Sequence, residues 1–257
     1  AGLIDFDEPF AQLRNQGMLL SPQDGQKMSK SRGNVVTPDE VVAAHGVDAL
    51  RTYVLFLGPF DARALWDDRG IVGVDRFLER VWRLAQEFAG LPDGSYNDAF
   101  ERDRHRVIKR VTADMERFRF NTAVAALMEY VNALYAAREQ PVAAGQWREA
   151  IRTLALLLAP IAPFIAEEMW REELGEAESI HGAAWPVWDE ALAAEEQTTI
   201  VVQVNGKLRD RLTADAGSDP TTLRQMALAS ERVRAAVGER PVRDVIVARR
   251  VVNVVTA

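Results

Sequence analysis

The stretch IVGVDRFLERVWRLAQEF, residues 71–88, decides the fold class of this chain. Its apolar side chains recur at spacings of three and four residues, which is the repeat of an amphipathic α-helix. Asp67 or Asp68 is a suitable cap for the start of this helix, and Gly90 is a suitable stop. Runs with the same period follow at about 99–118, 122–139, 146–158 and 163–174. Because only short connections separate these runs, the spacing predicts an antiparallel helical bundle.

The segment before the bundle contains several short elements. Thr37-Pro38-Asp39-Glu40 has the pattern of a capping box, with proline at the first helical position, and Gly46 is a suitable end for the helix that follows. In chain order the sequence predicts a short helix near 8–16, a strand at 18–20, a loop at 22–34 and helices at 38–45 and about 48–57.

After a linker at 175–197 the repeat changes from helical to alternating. The run TIVVQV, residues 199–204, meets Asn205-Gly206, which is the strongest short-range signal for a β-hairpin. A helix capped by Ser218 or Asp219 and two β-branched runs, 242–247 and 251–255, complete a small α+β domain. The predicted fold class is therefore mainly α, with three parts at 1–58, 59–195 and 196–257.

Composition narrows the classes of function. The 257 residues include no cysteine, which excludes disulfide scaffolds, Cys-ligated metal sites and thiol catalysis. The three histidines lie far apart in sequence, so we expect no metal site within the chain. No apolar run reaches the length of a membrane span. A monomeric, cytoplasmic protein without a membrane partner is the expectation.

Positive charge is unevenly distributed along the chain. Overall, 31 Lys and Arg face 38 Asp and Glu, a formal charge of -7. Residues 1–195 carry -10, whereas residues 196–257 carry +3, so a local basic surface is possible there. The candidates for contact with RNA are Lys207, Arg209, Arg211, Arg249 and Arg250, followed by Lys109 and Arg110 of the basic helix at 101–118. For that helix, a solvated face of paired charges is an equal alternative.

One loop concentrates unusual chemistry. Residues 24–34, DGQKMSKSRGN, hold two of the four lysines in a chain that otherwise uses arginine. Three cations, two hydroxyls and two flanking glycines suit a flexible loop that holds a polyphosphate. It is not a Walker loop, since neither G-x-x-x-x-G-K-S/T nor G-x-G-x-x-G occurs in the chain. A solvated basic turn is the alternative. We call residues 24–34 the basic loop.

The pentapeptide Lys27-Met28-Ser29-Lys30-Ser31 is identical to the KMSKS signature of class I aminoacyl-tRNA synthetases. The wider sequence resembles the bacterial leucyl-tRNA synthetase family over essentially its whole length. The segments that carry this resemblance are 31–36, 38–40, 46–51, 66–82, 116–123, 159–164, 185–186 and 202–209.

The resemblance implies a leucine:tRNA ligase that uses ATP, with Mg²⁺ as counter-ion, to activate leucine and then esterifies it to tRNA. Lys30, and secondarily Lys27, would stabilise the leaving pyrophosphate as the catalytic residues of the loop. Met28, Ser29 and Ser31 would complete the ATP-binding set, with Gly25 and Gly33 as hinges. The C-terminal domain would contact tRNA.

The chain departs from the family pattern in one important respect. The adenine-binding H-x-G-H motif is absent, and His45-Gly46 and His181-Gly182 do not supply it. We therefore expect the C-terminal third of such an enzyme, inactive when isolated. A fragment of a valyl or related class I synthetase, a split subunit and a non-catalytic tRNA-binding module remain alternatives.

Overall fold

The computed structural model describes residues 5–8, 10–194, 197–248 and 250–257. The chain forms two compact units, residues 1–193 and 194–257. Within the described residues, no helix is both long enough and apolar enough to cross a membrane.

The first unit is mainly helical. Its helices are α1 Pro38–His45, α2 Val47–Phe56, α3 Asp68–Glu87, α4 Asp98–Glu116, α5 Phe120–Ala137, α6 Ala144–Leu158 and α7 Pro163–Glu168. A π-helical turn, Met169–Glu173, continues α7. Two short strands, β1 Met18–Leu20 and β2 Arg63–Leu65, pair in parallel.

The bundle forms because each helix buries one apolar stripe. The predicted apolar stripe of α3, from Ile71 to Ala85, is buried. The side chain of Asp67 caps this helix by accepting a hydrogen bond from the Arg69 amide at 3.0 Å. Helix α6 lies at the centre of the core, where Leu154 and Leu157 are fully buried. Complete burial of one such side chain stabilises the fold by roughly 1.5–3 kcal/mol.

The second unit is a four-stranded sheet with two helices. Its elements are β3 Gln197–Val204, β4 Lys207–Asp215, α8 Pro220–Ala229, α9 Glu231–Val237, β5 Val242–Ala248 and β6 Val251–Thr256. The strand order is β4-β3-β6-β5, in which the β3–β6 pair is parallel and the two outer pairs are antiparallel. Asn205 and Gly206 have φ values of 51° and 76°, as a tight hairpin turn requires. Asp219 caps α8, and its hydrogen bonds from Thr222 and Thr221 lower its pKa to about 2.

The mainly α architecture with a small sheet is confirmed. The helix predicted near 8–16 is wrong: its described residues are not helical. Phe10 and Leu13 are 81% and 85% exposed, so an amphipathic face has no surface to pack on. Thr37 precedes α1, yet its side chain makes no capping hydrogen bond. Strand β2 and helix α9 were not predicted, because elements of three and seven residues carry little periodic signal.

Candidate functional site

The basic loop begins in a tight turn that follows β1. The Ser21 amide donates to the Gln26 carbonyl at 2.8 Å, and the Gly25 amide donates to the Ser21 carbonyl at 2.9 Å. Gly25 has a φ of +66°, a conformation that favours glycine. Lys27 then pairs with Leu20 in an isolated antiparallel bridge. The turn therefore returns the chain beside β1 and fixes where the signature residues start.

Asn34 closes the loop from its far end. This side chain is only 4% exposed. Its Oδ1 accepts from the Ser29 amide at 2.8 Å, and its Nδ2 donates to both carboxylate oxygens of Asp24 at 3.1 and 3.0 Å. The side-chain amide of Asn34 thus ties the end of the basic loop to its first residue, Asp24, ten positions earlier. The Gln26 amide, together with Asn34, outweighs desolvation and lowers the pKa of Asp24, so the carboxylate that anchors the loop stays ionised.

The last two signature residues, Lys30 and Ser31, begin a short 3₁₀ turn, Lys30–Arg32. Gly33 ends this turn with a φ of +67° and donates its amide to the Lys30 carbonyl at 3.2 Å. The Ser29 and Ser31 hydroxyls lie 2.8 Å apart. Met28 is partly buried and packs against the core of the first unit. The lysines at 27 and 30 therefore stand on either side of an anchored methionine.

Both lysine side chains face solvent. In the ranges that the structure describes, no carboxylate oxygen lies within 4 Å of the ammonium of Lys27 or Lys30. A lysine ammonium is a compact charge on a flexible stem, able to approach phosphate oxygens from several directions. The loop thus presents two cations that form no ion pair with the described part of the chain, on a backbone held at both ends.

We predict that Asn34→Ala loosens the basic loop. The variant removes the acceptor of the Ser29 amide and two donors to Asp24, so amide hydrogens in residues 29–34 should exchange about fivefold faster, or ~1 kcal/mol. Hydrogen–deuterium exchange by mass spectrometry measures this directly. Asn132→Ala is the matched control, because the Asn132 side chain binds Arg80 on the bundle and should leave the loop unchanged. Identical loop rates in the Asn34 variant and the unaltered protein would contradict the assignment.

Two of the predicted RNA-contacting residues are engaged within the chain. Lys109 forms an ion pair with Glu190, and Arg110 forms one with Glu129. These pairs connect α4 to the segment after α7 and to α5. Either cation would have to exchange a carboxylate for a phosphate in order to contact RNA.

The C-terminal candidates lie at different points along the sheet. Arg211, in the middle of β4, lies opposite Val201, whose amide donates to the Arg250 carbonyl at 2.8 Å, so the register places Arg211 and Arg250 on either side of the same β3 residue. Lys207 follows the Asn205-Gly206 turn at the start of β4, with Arg209 between Lys207 and Arg211. Arg249 lies outside the described residues. The structure therefore brings together two of the five candidates at this sheet.

The contribution of Asn34 was not predicted, although Asn34 is the last residue of the basic loop. An asparagine after a glycine indicates only a turn, and the long-range bond to Asp24 has no sequence signal.

Within the described ranges, no group of three or more His, Cys, Asp or Glu side chains could hold a metal ion.

Comparison with known proteins defines the class. A family model described as the anticodon-binding domain of tRNA ligase matches residues 98–224, and one described as tRNA synthetases class I (I, L, M and V) matches residues 3–65. The chain is thus part of a class I tRNA synthetase. A leucine–tRNA ligase of Rubrobacter xylanophilus is 51% identical over all of this chain and 31% of its own length. One of Herpetosiphon aurantiacus is 46% identical over 99% of this chain and 31% of its own length.

The relatives also fix the particular family. The chain corresponds to the C-terminal part of leucine–tRNA ligases and belongs to that family. It spans about a third of the length of these curated relatives. The structure of an Agrobacterium radiobacter K84 LeuRS–tRNA–LeuAMS ternary complex matches all of this chain and 35% of its own, with a TM-score of 0.76 and 35% identity. A Mycobacterium tuberculosis methionyl-tRNA synthetase shares the fold over 62% of the chain, with a TM-score of 0.50 and 22% identity.

Proposed function

We propose that the chain supplies the ATP-facing loop and the tRNA-binding parts of a leucine:tRNA ligase, which activates leucine with ATP and transfers it to tRNA. The observation that carries this proposal is the intact KMSKS sequence, in a chain similar to leucine–tRNA ligases throughout. Its two lysines have no carboxylate within 4 Å among the described residues, and Asn34 holds their loop in place.

The chemistry assigned to the loop is electrostatic. As the leucine carboxylate attacks the α-phosphorus of ATP, negative charge grows on the departing pyrophosphate. A mobile ammonium that contacts those oxygens more strongly in the transition state than in the ground state increases the rate. Lys30 is proposed for this role, with Lys27 second. Mg²⁺ would accompany ATP as its counter-ion, held by the phosphates.

The three parts of the chain would divide the remaining work. Residues 1–58 would contribute the loop and the helices that support it. Residues 59–195 would form a bundle of the anticodon-binding type, and residues 196–257 a module that contacts the tRNA body. The test of the whole proposal is leucine-dependent ATP–pyrophosphate exchange and tRNA aminoacylation by the ligase that carries this sequence. The 257-residue chain alone should bind tRNA without supporting exchange, and exchange by the pure chain would contradict its proposed dependence on a further catalytic part.

We predict that tRNA binding by the chain depends on salt and on its C-terminal module. Affinity should fall at least tenfold from about 50 mM to about 200 mM salt, because each neutralised phosphate releases counter-ions. Truncation before residue 196 removes a segment of charge +3 and should weaken binding. Filter binding at several salt concentrations measures both effects.

A point variant tests whether the surface of this module contacts tRNA. Arg211→Gln removes an exposed cation of β4, whereas Arg234→Gln alters an arginine of α9 that donates to the Leu228 carbonyl of α8. The first should weaken binding and the second should not. Salt-independent binding, or full affinity after truncation, would refute the assignment of this module to tRNA.

A further inference from the structure

We infer that a cationic pocket in the first unit, outside the basic loop, binds a phosphodiester of the tRNA backbone. This inference rests on the proposed function, because it takes tRNA as the ligand. The pocket encloses about 530 Å³. The charged and amide side chains that line it are Arg14, Asn15, Asp61, Arg117, Arg119 and Asn121, and we call it the Arg14 pocket.

Three separate segments build the Arg14 pocket: the residues before β1, the turn before β2 and the connection between α4 and α5. The Gly17 amide donates to the Phe60 carbonyl at 2.7 Å and joins the first two segments. The rings of Phe60, Phe118 and Phe120 pack on one another with centroids 5.3 to 5.7 Å apart. This aromatic cluster joins the third segment to the second, and the rings of Phe60 and Phe118 line the pocket.

Phe118 adopts a conformation that a bulky residue rarely takes. Its φ is +56°, in the left-handed region, and its amide donates to the Met115 carbonyl at 3.1 Å. The next amide, that of Arg119, donates to the Asp114 carbonyl at 2.8 Å. This turn places the Phe118 ring beneath the guanidinium of Arg14, 4.3 Å from the ring centroid. A cation–π contact therefore holds Arg14 at the pocket without neutralising its charge.

The charge of the Arg14 pocket is not balanced. Three arginines face one carboxylate in the lining, that of Asp61. Across the described ranges, no carboxylate oxygen lies within 4 Å of the guanidinium of Arg14, Arg117 or Arg119. Arginines earlier in α4 behave differently, because Arg104 and Arg110 pair with Glu101 and Glu129. Arg14, Arg117 and Arg119 thus meet at one pocket without a carboxylate partner among the described residues.

The chemistry favours an RNA backbone over a free nucleotide. Guanidinium groups bind phosphate oxygens through paired N–H donors, and all three arginines are exposed at an open mouth. An open cationic mouth admits a continuous strand, whereas a free nucleotide is held best where most of its surface is enclosed. The amides of Asn15 and Asn121 add donors and acceptors of the kind that contact ribose hydroxyls.

The test is a salt titration of tRNA binding by the 257-residue chain. Arg117→Gln/Arg119→Gln should lower the slope of log affinity against log salt by about 1.5 to 2 and weaken binding about tenfold near 100 mM salt. Arg14→Gln should produce a smaller change in the same direction. The control Arg69→Gln/Arg171→Gln removes the same charge from exposed arginines paired with Asp67 and Glu167, and should change neither quantity. Circular dichroism confirms that each variant is folded.

The possible outcomes distinguish failure of the Arg14 pocket from failure of the proposed function. Wild-type binding with an unchanged slope in the double variant would overturn the Arg14 pocket and leave the proposed function standing. Failure of the unaltered chain to bind tRNA would overturn both. A competition arm uses ATP at constant ionic strength. If the double variant loses ATP binding but keeps its affinity for tRNA, the pocket holds a free nucleotide and the inference fails.

Discussion

Lys30→Ala is expected to lower leucine-dependent ATP–pyrophosphate exchange by the complete ligase about a hundredfold. A donor aimed at charge that develops in the transition state typically contributes about 3 kcal/mol. Lys30 is exposed and has no carboxylate within 4 Å in the described ranges, so its removal takes away a charge without disturbing a packed contact. The loss should therefore appear mainly in kcat, with a smaller change in the KM for ATP.

Two comparisons isolate this effect. Lys109→Ala removes a lysine that is paired with Glu190, and exchange should stay close to wild type. Hydrogen–deuterium exchange of the basic loop should be unchanged in Lys30→Ala, unlike in Asn34→Ala, because the ammonium holds no part of the loop. An exchange rate within threefold of wild type would refute the role given to Lys30.

Periodicity predicted the helices well because their burial repeats locally. Every residue of α3 that is buried lies on the three-and-four pattern from Ile71 to Ala85. The Asn205-Gly206 turn was equally visible, since only its two residues need positive φ. The helix predicted near 8–16 failed because amphipathic spacing was present without a partner surface.

The sequence predicted the chemical type of the basic loop, but it did not predict the contacts that hold the loop in place. Five consecutive residues identify the loop, whereas the bond from Asn34 to Asp24 depends on how the turn folds. The Arg14 pocket joins residues more than one hundred positions apart, and no local pattern marks them. Such contacts follow from tertiary packing, which sequence spacing does not encode.

The segment between the bundle and the second unit also makes tertiary contacts that the sequence did not predict. It was predicted as a linker, yet its residues 183–193 dock along α4. Trp185 Nε1 donates to Thr112 Oγ1 at 2.8 Å, and Glu190 pairs with Lys109. The Asp189 amide donates to Nδ1 of His105 at 2.9 Å. The other ring nitrogen of His105, Nε2, lies 3.2 Å from Glu101 Oε1.

Glu101 therefore connects two sets of contacts: the docking of residues 183–193 through His105, and the ion pair with Arg104 on α4. Its carboxylate binds both Arg104 and His105, and the side chains of Glu101 and Arg104 are only 10% and 15% exposed. Glu101→Ala leaves the Arg104 guanidinium largely buried without its anion, which typically costs about 3–5 kcal/mol. We expect a loss of about 3 kcal/mol in the free energy of unfolding of the first unit, measured by urea titration of the 257-residue chain.

The pH dependence and the controls test whether the loss comes from the buried pair. Desolvation opposes ionisation of Glu101, but Arg104 outweighs it and lowers the pKa of this carboxyl. Stability from a lowered carboxyl pKa is complete above the unfolded value and is lost as pH falls through the folded one, so Glu101→Ala should remove that acid-side slope. Asp103→Ala, which breaks the more exposed pair with Arg106, should cost less than about 1 kcal/mol. Glu101→Ala/Arg104→Met should recover most of the loss, because it also removes the stranded cation. An equal loss in the Asp103 variant, or no recovery in the double variant, would show that the buried pair does not hold this part of the bundle.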